Sequence, residues 1–311
     1  MRSVTLSCPA KINLYLKVGP RRQDGFHEVE TLMARLKLAD TLTIELLGPR
    51  ARRPELRLRF TAHYPDFCRQ ILEREKDQNL ILKAFELFGQ AFPAAAHRHV
   101  RFTLTKRVPL GAGLGGGSSN AASTLMGLAR LFSLKVSPKR LVDLAGRLGS
   151  DVPFFIGASA NFPRRAGPYG WATGRGERVV RLNEQQGHPV LVVYPGFGVS
   201  TPEAYAAFDP RPSGELTRRR ILPRLLESLK DLSGRRSVLG FNSFDAVVFK
   251  RRPVLKEIKE SLRALGAPAA GLTGSGSSLW AIAQDPNARE KWAERLSCRF
   301  KNFLYFNTMI A

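Results

Sequence analysis

Residues 109–122 read Pro-Leu-Gly-Ala-Gly-Leu-Gly-Gly-Gly-Ser-Ser-Asn-Ala-Ala, with five glycines among the seven residues 111–117. An alternating stretch typical of a strand, residues 99–105, precedes this run, and a helical pattern from Ser118 to about Phe132 follows it. Glycine lets backbone N–H groups turn towards a ligand, and the first turn of a helix adds unpaired N–H donors and the positive end of its dipole. The stretch therefore predicts a phosphate-binding loop.

The sequence around this loop excludes two common nucleotide-binding motifs. No lysine follows the last glycine, as a Walker A loop requires, and no acidic residue stands where a dinucleotide-binding fold needs one. The hydroxyls of Ser118 and Ser119 can donate to a phosphate, or one of them can ligate Mg²⁺. The alternative is a flexible glycine turn capped by serine, which the strand–loop–helix context disfavours.

Strand and helix patterns interleave along both halves of the chain, which favours an α+β fold over a doubly wound parallel sheet. The polar stretch 183–189 is typical of a linker, so we predict domains at 1–183 and 184–311. Residues 157–176 are rich in glycine, proline and arginine without a clear period, which predicts a loop. The strand patterns lie at 4–18, 29–46, 55–63, 99–105, 190–194, 278–283 and 303–310, and the helical patterns at 79–92, 118–132, 137–148, 216–232 and 253–265.

Two of the predicted helices carry terminal signals. Asn79 is suited to cap the first helix, and Ser137 followed by Pro138 marks the start of another. Gly149 predicts the end of that second helix.

The composition limits the possible classes of protein. Of the 311 residues, 43% are hydrophobic, which suffices for a sizeable core. No apolar run reaches the roughly 18 residues that span a bilayer, and the N-terminus lacks the apolar region of a signal peptide. The cysteines Cys8, Cys68 and Cys298 have no metal-ligand spacing and are expected to be free thiols in a reducing cytoplasm.

The formal net charge is +23, from 49 Lys and Arg against 26 Asp and Glu. Such an excess of positive charge is typical of proteins that bind nucleic acid. Here, however, the basic residues are scattered and no nucleic-acid-binding motif accompanies them. A basic surface that attracts small anionic substrates is the preferred interpretation, and a nucleic-acid-binding protein is the alternative.

The glycine run resembles the nucleotide-binding motif of the GHMP kinases, P-x3-G-L-G-[SG]-S-[AN]-A. Two further segments are similar to motifs of the same family: Pro9-Ala-Lys-Ile-Asn-Leu14 and the glycine-rich Gly271-Leu-Thr-Gly-Ser-Gly-Ser-Ser278. Asp24-Gly-Phe-His27 and Gly149-Ser-Asp-Val-Pro-Phe-Phe155 narrow the resemblance to the branch that serves non-mevalonate isoprenoid biosynthesis. The motifs cover most of the chain, in the order of the family.

The resemblance implies a two-domain fold, with an N-terminal domain like domain 2 of ribosomal protein S5 and a ferredoxin-like C-terminal domain. It implies ATP and a cytidine diphosphate sugar alcohol as substrates, Mg²⁺ as cofactor, and no membrane partner. A monomer or a homodimer in the cytoplasm is expected.

Phosphoryl transfer to an alcohol needs a group that accepts the hydroxyl proton and a cation that keeps this group ionised. By resemblance these roles fall to Asp151 and Lys11. Taken singly, Asp151 would be a carboxylate paired with a surface cation and Lys11 a solvated lysine. The motifs around the two residues favour the catalytic interpretation.

The same resemblance implies the binding residues. Aromatic rings at Phe26 and Tyr205 would sandwich the cytosine, His27 would read its edge, and Asn13 would contact the erythritol end; an aromatic taken singly is more often a core residue. For ATP the expected residues are Asn79, Lys106, Pro109, Gly111, Gly113, Leu114, Gly115, Gly116, Gly117, Ser118 and Ser119, with Ser119 also the candidate Mg²⁺ ligand. Gly274, Ser275 and Gly276 complete the expected substrate site.

Two segments depart from the family pattern. Residues 157–171 form a longer connection than usual, which is either an inert surface insertion or a basic lid over a diphosphate. Residues 241–245, Phe-Asn-Ser-Phe-Asp, stand where the family has an acidic or amide element. Another kinase of the family, acting on mevalonate, homoserine or a sugar, remains an alternative.

Overall fold

The computed structural model describes residues 2–48, 54–96, 98–156, 167–208, 218–232 and 238–311. Its contacts divide the chain into two compact units, the first made of Met1–Ala10, Leu38–Leu110 and Gly115–Arg164, the second of Lys11–Lys37, Gly111–Leu114 and Arg165–Ala311. The first two strands, β1 (Ser3–Arg21) and β2 (His27–Gly48), each contribute residues to both units. The units follow contacts rather than chain order, so the boundary between residues 183 and 184 stays a prediction.

The first unit combines a sheet with helices. Besides parts of β1 and β2, its strands are β3 (Glu55–Phe60) and β4 (His99–Lys106), in the order β3-β4-β2-β1. Strand β4 runs antiparallel to β2 and parallel to β3. The helices are α1 (Asp66–Arg74), α2 (Leu80–Ala91), α3 (Pro93–Ala96), α4 (Gly116–Leu131), α5 (Pro138–Leu148) and α6 (Val152–Ile156).

Strand β4 shows how the alternating pattern makes the core of this unit. Every second residue is buried, beginning with Val100, Phe102 and Leu104. The ring of Phe102 meets Phe85 of α2 edge to face, with 5.7 Å between centroids. The same alternation buries Lys106, the last residue of the strand, which brings an ammonium group into an apolar layer.

The second unit contains a ferredoxin-like sheet. Its strands are β7 (Pro189–Tyr194), β9 (Ala269–Leu272), β10 (Leu279–Ile282) and β11 (Leu304–Met309), in the antiparallel order β11-β7-β10-β9. Helices α7 (Thr201–Ala206), α8 (Arg218–Lys230), α9 (Asp245–Arg251) and α10 (Pro253–Ala264) lie between β7 and β9, and α11 (Pro286–Arg299) lies between β10 and β11. This succession confirms the predicted ferredoxin-like domain.

The predicted loop over residues 157–176 is partly wrong. Tyr169–Thr173 form strand β5, which pairs with β2 and with β6 (Arg178–Arg181). Tyr169 and Trp171 are fully buried, so packing of two aromatic side chains overrides the glycine and proline around them. Residues 157–166, most of the predicted insertion, lie outside the described residues.

The other predicted strands and the five predicted helices agree with the patterns in kind. The helices α1, α3, α6, α7, α9 and α11 and the strands β6 and β9 were not predicted. Helices α2 and α5 begin after Asn79 and Ser137 as predicted, because each side chain accepts a hydrogen bond from the first turn. The two-residue strand β8 (Phe241–Asn242) pairs with β1 in parallel. In the part of the chain that the structure describes, no helix has the length and apolar character to cross a membrane.

Candidate functional site

The start of the glycine loop, residues 111–114, is held by backbone contacts within the second unit. Gly113 has a φ of +74°, and a Cβ on it would lie 2.1 Å from the carbonyl oxygen of Thr273. The Thr273 hydroxyl donates to the Gly113 carbonyl at 3.0 Å. The backbone N–H of Lys11 donates to the Leu114 carbonyl at 2.9 Å. Glycine at 113 is therefore required by close approach, as well as by a left-handed conformation.

The end of the loop forms the N-terminus of α4 in the first unit. Gly115 is the cap residue, with a φ of +67°, and no described side chain accepts from the first turn. By helix geometry the N–H groups of the first turn have no partner inside the helix. Gly117 is exposed and Ser118 half-buried, so this turn offers donors at an accessible surface. Such an end attracts phosphate.

A buried ion pair supports the turn before the loop. The Lys106 ammonium donates to Asp40 at 2.5 Å, and both side chains are almost fully buried. The other Asp40 oxygen accepts from the N–H groups of Arg107 and Val108 at 2.7 and 2.8 Å. Lys106 also lies 3.3 Å from the position of a Cβ on Gly116. Its charge therefore lies against the first turn of α4.

Lys11 is part of a polar network in the second unit. It is only 3% exposed, and its ammonium donates to the Asn13 Oδ1 at 2.6 Å. The same oxygen accepts from the backbone N–H of Gly274 at 2.9 Å. The Thr273 hydroxyl, which bridges to Gly113, lies 3.2 Å from it. The motifs around residues 9–14 and 271–278 thus meet at the Asn13 amide, and Thr273 links them to the glycine loop at Gly113.

The predicted substrate loop is also held by the segment 241–245. The Asn242 amide donates to the carbonyls of Leu272 and Gly274, at 3.0 and 2.8 Å. Ser275 shares a 3.0 Å hydrogen bond with Thr201. Burial raises the pKa of Asp245, although the Lys259 ammonium lies 2.6 Å away. Residues 241–245 therefore stabilise the turn that carries Gly274.

An aromatic cluster surrounds His27 in the second unit. The Tyr205 and Phe208 rings lie 5.4 and 6.1 Å from the His27 ring, between centroids. Phe26 is 48% exposed, and the guanidinium of Arg175 lies 5.1 Å from its ring centre. The structure thus brings His27 and Tyr205 together, and it leaves Phe26 partly exposed with the Arg175 guanidinium over its ring.

Other predicted residues have well-defined positions. Asp151 directly precedes α6 and is half-buried. Ser119 is fully buried in α4, and its hydroxyl has no hydrogen-bond partner among the described residues. Asn79 caps α2 by accepting from the Ile81 N–H at 3.0 Å.

Metal-binding clusters and reactive cysteines are the other kinds of site that the described residues could provide. These residues contain no group of three or more His, Cys, Asp or Glu side chains placed to hold a metal ion. None of the three cysteines forms a disulfide bond, and Cys8 and Cys68 are buried. Burial raises the pKa of the Cys8 thiol to about 12, so it stays protonated and poorly nucleophilic near neutral pH.

Three contributors to this arrangement escaped the sequence analysis: Asp40, Thr273 and Thr31, a buried residue of β2. A signal existed for Asp40, because it occupies a position that the alternation of β2 reserves for apolar residues. Thr31 gave a weaker signal, as a small polar residue in the run Thr-Leu-Met-Ala. The partners of these side chains lie far away in sequence, so no local pattern identifies them.

Comparisons with known proteins give a consistent result. The family description "GHMP kinases N terminal domain" matches residues 79–158, and "GHMP kinases C terminal" matches residues 221–302. A 4-diphosphocytidyl-2-C-methyl-D-erythritol kinase of Solibacter usitatus is 37% identical over 290 residues, covering 92% of this chain and 83% of the relative. One from Geobacter sulfurreducens is 35% identical over 300 residues and covers 96% of each chain.

Solved structures agree. A crystal structure of 4-(cytidine 5'-diphospho)-2C-methyl-D-erythritol kinase has a TM-score of 0.75 and 33% identity, and covers 99% of this chain and 100% of the other. A homoserine kinase from Cytophaga hutchinsonii shares the fold, with a TM-score of 0.69 at 15% identity over 100% of this chain and 95% of the other.

Proposed function

The chain belongs to the GHMP kinases, and on that premise we propose that it transfers the γ-phosphoryl group of ATP to the 2-hydroxyl of 4-diphosphocytidyl-2-C-methyl-D-erythritol. The relatives that support this acceptor carry it in their names and match nearly the whole chain. The observation that carries the proposal is the Lys11–Asn13–Gly274 network beside the start of the glycine loop. It holds the Lys11 ammonium beside the turn that carries Gly274 and links this turn to the start of the glycine loop.

We assign the phosphates of ATP to the glycine loop and the first turn of α4. The N–H groups of this turn have no partner inside the helix, and the buried Lys106–Asp40 ion pair packs behind them against Gly116. Asn79 and the remaining loop residues, from Pro109 to Ser119, keep their predicted part in ATP binding as part of this proposal.

The proposed chemistry uses Asp151 and Lys11. Asp151 accepts the proton of the acceptor hydroxyl as the oxygen attacks phosphorus, and Lys11 supplies positive charge that favours loss of that proton. Asn13 holds the Lys11 ammonium through the 2.6 Å hydrogen bond. In this way the chain positions and polarises the reactants, which is the main protein contribution to phosphoryl transfer.

We propose that the aromatic cluster binds the cytosine. Phe26 and Tyr205 supply ring faces, and His27, whose Nδ1 is engaged with the Gly19 carbonyl at 2.9 Å, directs its other nitrogen to the base edge. Stacking contributes about 1–3 kcal/mol per base in single-stranded nucleic-acid sites. A mevalonate or homoserine acceptor has no group that would use these rings.

Mg²⁺ is proposed as the companion of ATP. The unpartnered Ser119 hydroxyl in the first turn of α4 fits such an ion, which usually takes few protein ligands and several substrate oxygens. When bound, the ion neutralises charge on the phosphates. We also propose that the protein works in a reducing cytoplasm, where cysteines outside disulfide bonds stay as thiols, and that it is a monomer or a homodimer.

An ADP-release assay with purified protein tests the function. We expect turnover with 4-diphosphocytidyl-2-C-methyl-D-erythritol and none with mevalonate or homoserine. Asp151→Asn and Lys11→Met should each lower kcat by about 10²–10⁴-fold, the usual contribution of a positioned acid or base. Asp66→Asn, which removes one charge from a carboxylate with 85% side-chain exposure, is the matched control.

The outcomes are distinct. Preferential turnover of mevalonate or homoserine would overturn the proposed acceptor and leave the family unaffected. Full activity of a folded Asp151→Asn variant would overturn the assignment of the base.

A further inference from the structure

Thr31 lies on β2, where its backbone pairs with Ala172 of β5, and its side chain is 3% exposed. The Thr31 hydroxyl donates to the carbonyl oxygen of Tyr15 at 2.6 Å. The Asn13 Nδ2 lies 2.8 Å from the same hydroxyl oxygen. A hydroxyl has one hydrogen, and the Tyr15 carbonyl can only accept. Thr31 must therefore act as acceptor towards Asn13.

This constraint determines the orientation of the Asn13 amide. Because Thr31 accepts, the nitrogen end of the amide faces Thr31 and the oxygen end faces away. That oxygen accepts from the Lys11 ammonium at 2.6 Å and from the Gly274 N–H at 2.9 Å. Both of these groups can only donate a hydrogen bond. An amide rotated by half a turn would place hydrogens against both donors and a lone pair against the Thr31 lone pair.

We propose that Thr31 is a positioning residue that sets the Lys11 ammonium for phosphoryl transfer by fixing the orientation of the Asn13 amide. The inference rests on the proposed role of Lys11. Thr31 does not touch a reacting atom, because its hydroxyl is occupied by Tyr15 and Asn13. It acts two hydrogen bonds away from the ammonium.

Removal of the Thr31 acceptor leaves the buried Asn13 Nδ2 without this partner, which raises the free energy of the native amide orientation. The amide is then held through its oxygen by the Lys11 ammonium and the Gly274 N–H, and it can tilt to bring its nitrogen to another acceptor. The Lys11 ammonium donates to that oxygen and would move with it. A displaced catalytic cation lowers the rate of the chemical step more than it weakens substrate binding.

The test compares Thr31→Val, Thr31→Ser and Thr43→Val in the full-length protein. Valine keeps the shape of threonine and removes the acceptor, whereas serine keeps the acceptor. Thr43 lies on the same strand, and its hydroxyl pairs with Thr5 at an exposed position, so Thr43→Val is the matched control. The readouts are kcat, KM for ATP, KM for the acceptor, and the melting temperature.

We expect Thr31→Val to lower kcat roughly 10- to 100-fold, because a displaced Lys11 ammonium stabilises the transition state less well. Both KM values should stay within about threefold, because the residue contacts neither substrate. Thr31→Ser should restore kcat to within about threefold of the parent, and Thr43→Val should behave as the parent.

Equal kcat values for the valine variant and the parent would overturn the inference, and so would equal losses in the serine and valine variants. If the valine variant does not fold, Thr31→Cys replaces it, since a thiol is a weak acceptor of similar shape. Serine must then exceed cysteine in kcat by several-fold, and equal values overturn the inference.

Failure of the proposed function is recognised separately. If the parent prefers another acceptor, the same comparison is made with that acceptor, because Thr31 acts on Lys11 and not on the cytosine site. If Lys11→Met retains full activity, the proposed chemistry fails whatever Thr31 does.

Discussion

Gly113 shows at the scale of one residue why the glycine loop tolerates little change. It combines a left-handed φ of +74° with a Cβ position 2.1 Å from the Thr273 carbonyl oxygen and 3.0 Å from the Gly276 carbonyl oxygen. Both neighbours are backbone atoms, which cannot move aside as a flexible side chain would. Gly117 is a contrasting case, because its Cβ position meets only the Leu80 Cδ1 at 3.6 Å.

We therefore expect Gly113→Ala to reduce the free energy of unfolding by about 3 kcal/mol or more, since a forbidden contact adds to backbone strain. Gly117→Ala should change stability by less than about 1 kcal/mol, because it stays in ordinary van der Waals contact and alanine favours the helix. Urea denaturation of the two variants measures the difference. Similar stabilities would show that the loop relaxes away from Thr273.

Buried polar residues are the other feature of the residue scale. Asp40 satisfies two backbone N–H groups and one ammonium, so its burial leaves no orphaned charge. Removal of one partner of such a pair is more harmful than the pair is favourable, because the other charge stays buried. Asp40 and Lys106 thus act as one unit under the start of α4.

At the scale of elements, helix caps explain why some boundaries were predictable. Asn79 and Ser137 each accept a hydrogen bond from the first turn of the helix that follows. Asp285 caps α11 in the same way, although that helix was not predicted from the sequence. A cap works within three residues, so it can be recognised from a short stretch. Strand β5 carried no such local signal, because it depends on burial of Tyr169 and Trp171 by residues far away in sequence.

Asn79 has two roles to separate, a cap on α2 and a proposed contact with ATP. Asn79→Ala should lower stability by about 1 kcal/mol and raise KM for ATP. Asn79→Asp should recover the stability, because a carboxylate accepts the Ile81 N–H, but keep the raised KM through its negative charge. Urea denaturation and ATP kinetics measure the two effects.

Ser137→Ala is the control for Asn79, since it removes the cap of α5 without a proposed contact to ATP. It should lose stability and keep the parent KM. Recovery of both properties in Asn79→Asp would mean that Asn79 serves the helix alone.

At the scale of the whole molecule, the net charge of +23 accords with a kinase whose two substrates are polyanions. A basic surface raises the local concentration of such substrates and speeds their encounter with the protein. Non-specific attraction of nucleic acid to a basic surface is also electrostatic and salt-dependent, and it needs no dedicated site. The charge thus describes the class of ligand rather than its identity.

Unfolding of the whole chain should depend on pH through His188. The ring is 4% exposed, its Nε2 has no hydrogen-bond partner among the described residues, and burial lowers its pKa from the ordinary 6.5 in spite of nearby Glu184. Above pH 6.5 the ring is neutral in both states. As the pH falls below 6.5, the unfolded state binds the proton first, so the folded state loses stability.

Between pH 7.5 and pH 5.5, the parent should therefore lose about 1 kcal/mol more than His188→Gln, with an upper limit of about 1.4 kcal/mol per pH unit for one proton. His63→Asn, at an exposed position, should leave the dependence unchanged. Urea denaturation at both pH values measures the slopes. Parallel slopes for the parent and His188→Gln would contradict the prediction.

Short stretches of the sequence determine much of the secondary structure and identify the family. The glycine run, the caps and the alternation of strands involve residues within a few positions of one another. The family, the α+β architecture and the helices α2, α4, α5, α8 and α10 could therefore be predicted without coordinates, whereas α11 could not. The candidate residues Lys11, Asn13 and Gly274 could likewise be named from their motifs.

Only the tertiary structure determines how those side chains are oriented. The hydrogen bond from the Asn13 amide to Thr31 holds the amide oxygen towards Lys11, and Asp40 pairs with Lys106. Both contacts depend on strands that come together from distant parts of the chain. A hydrogen bond requires two atoms about 3 Å apart in a suitable direction. Local sequence does not encode such a distance between remote residues, because it arises from the packing of the complete core.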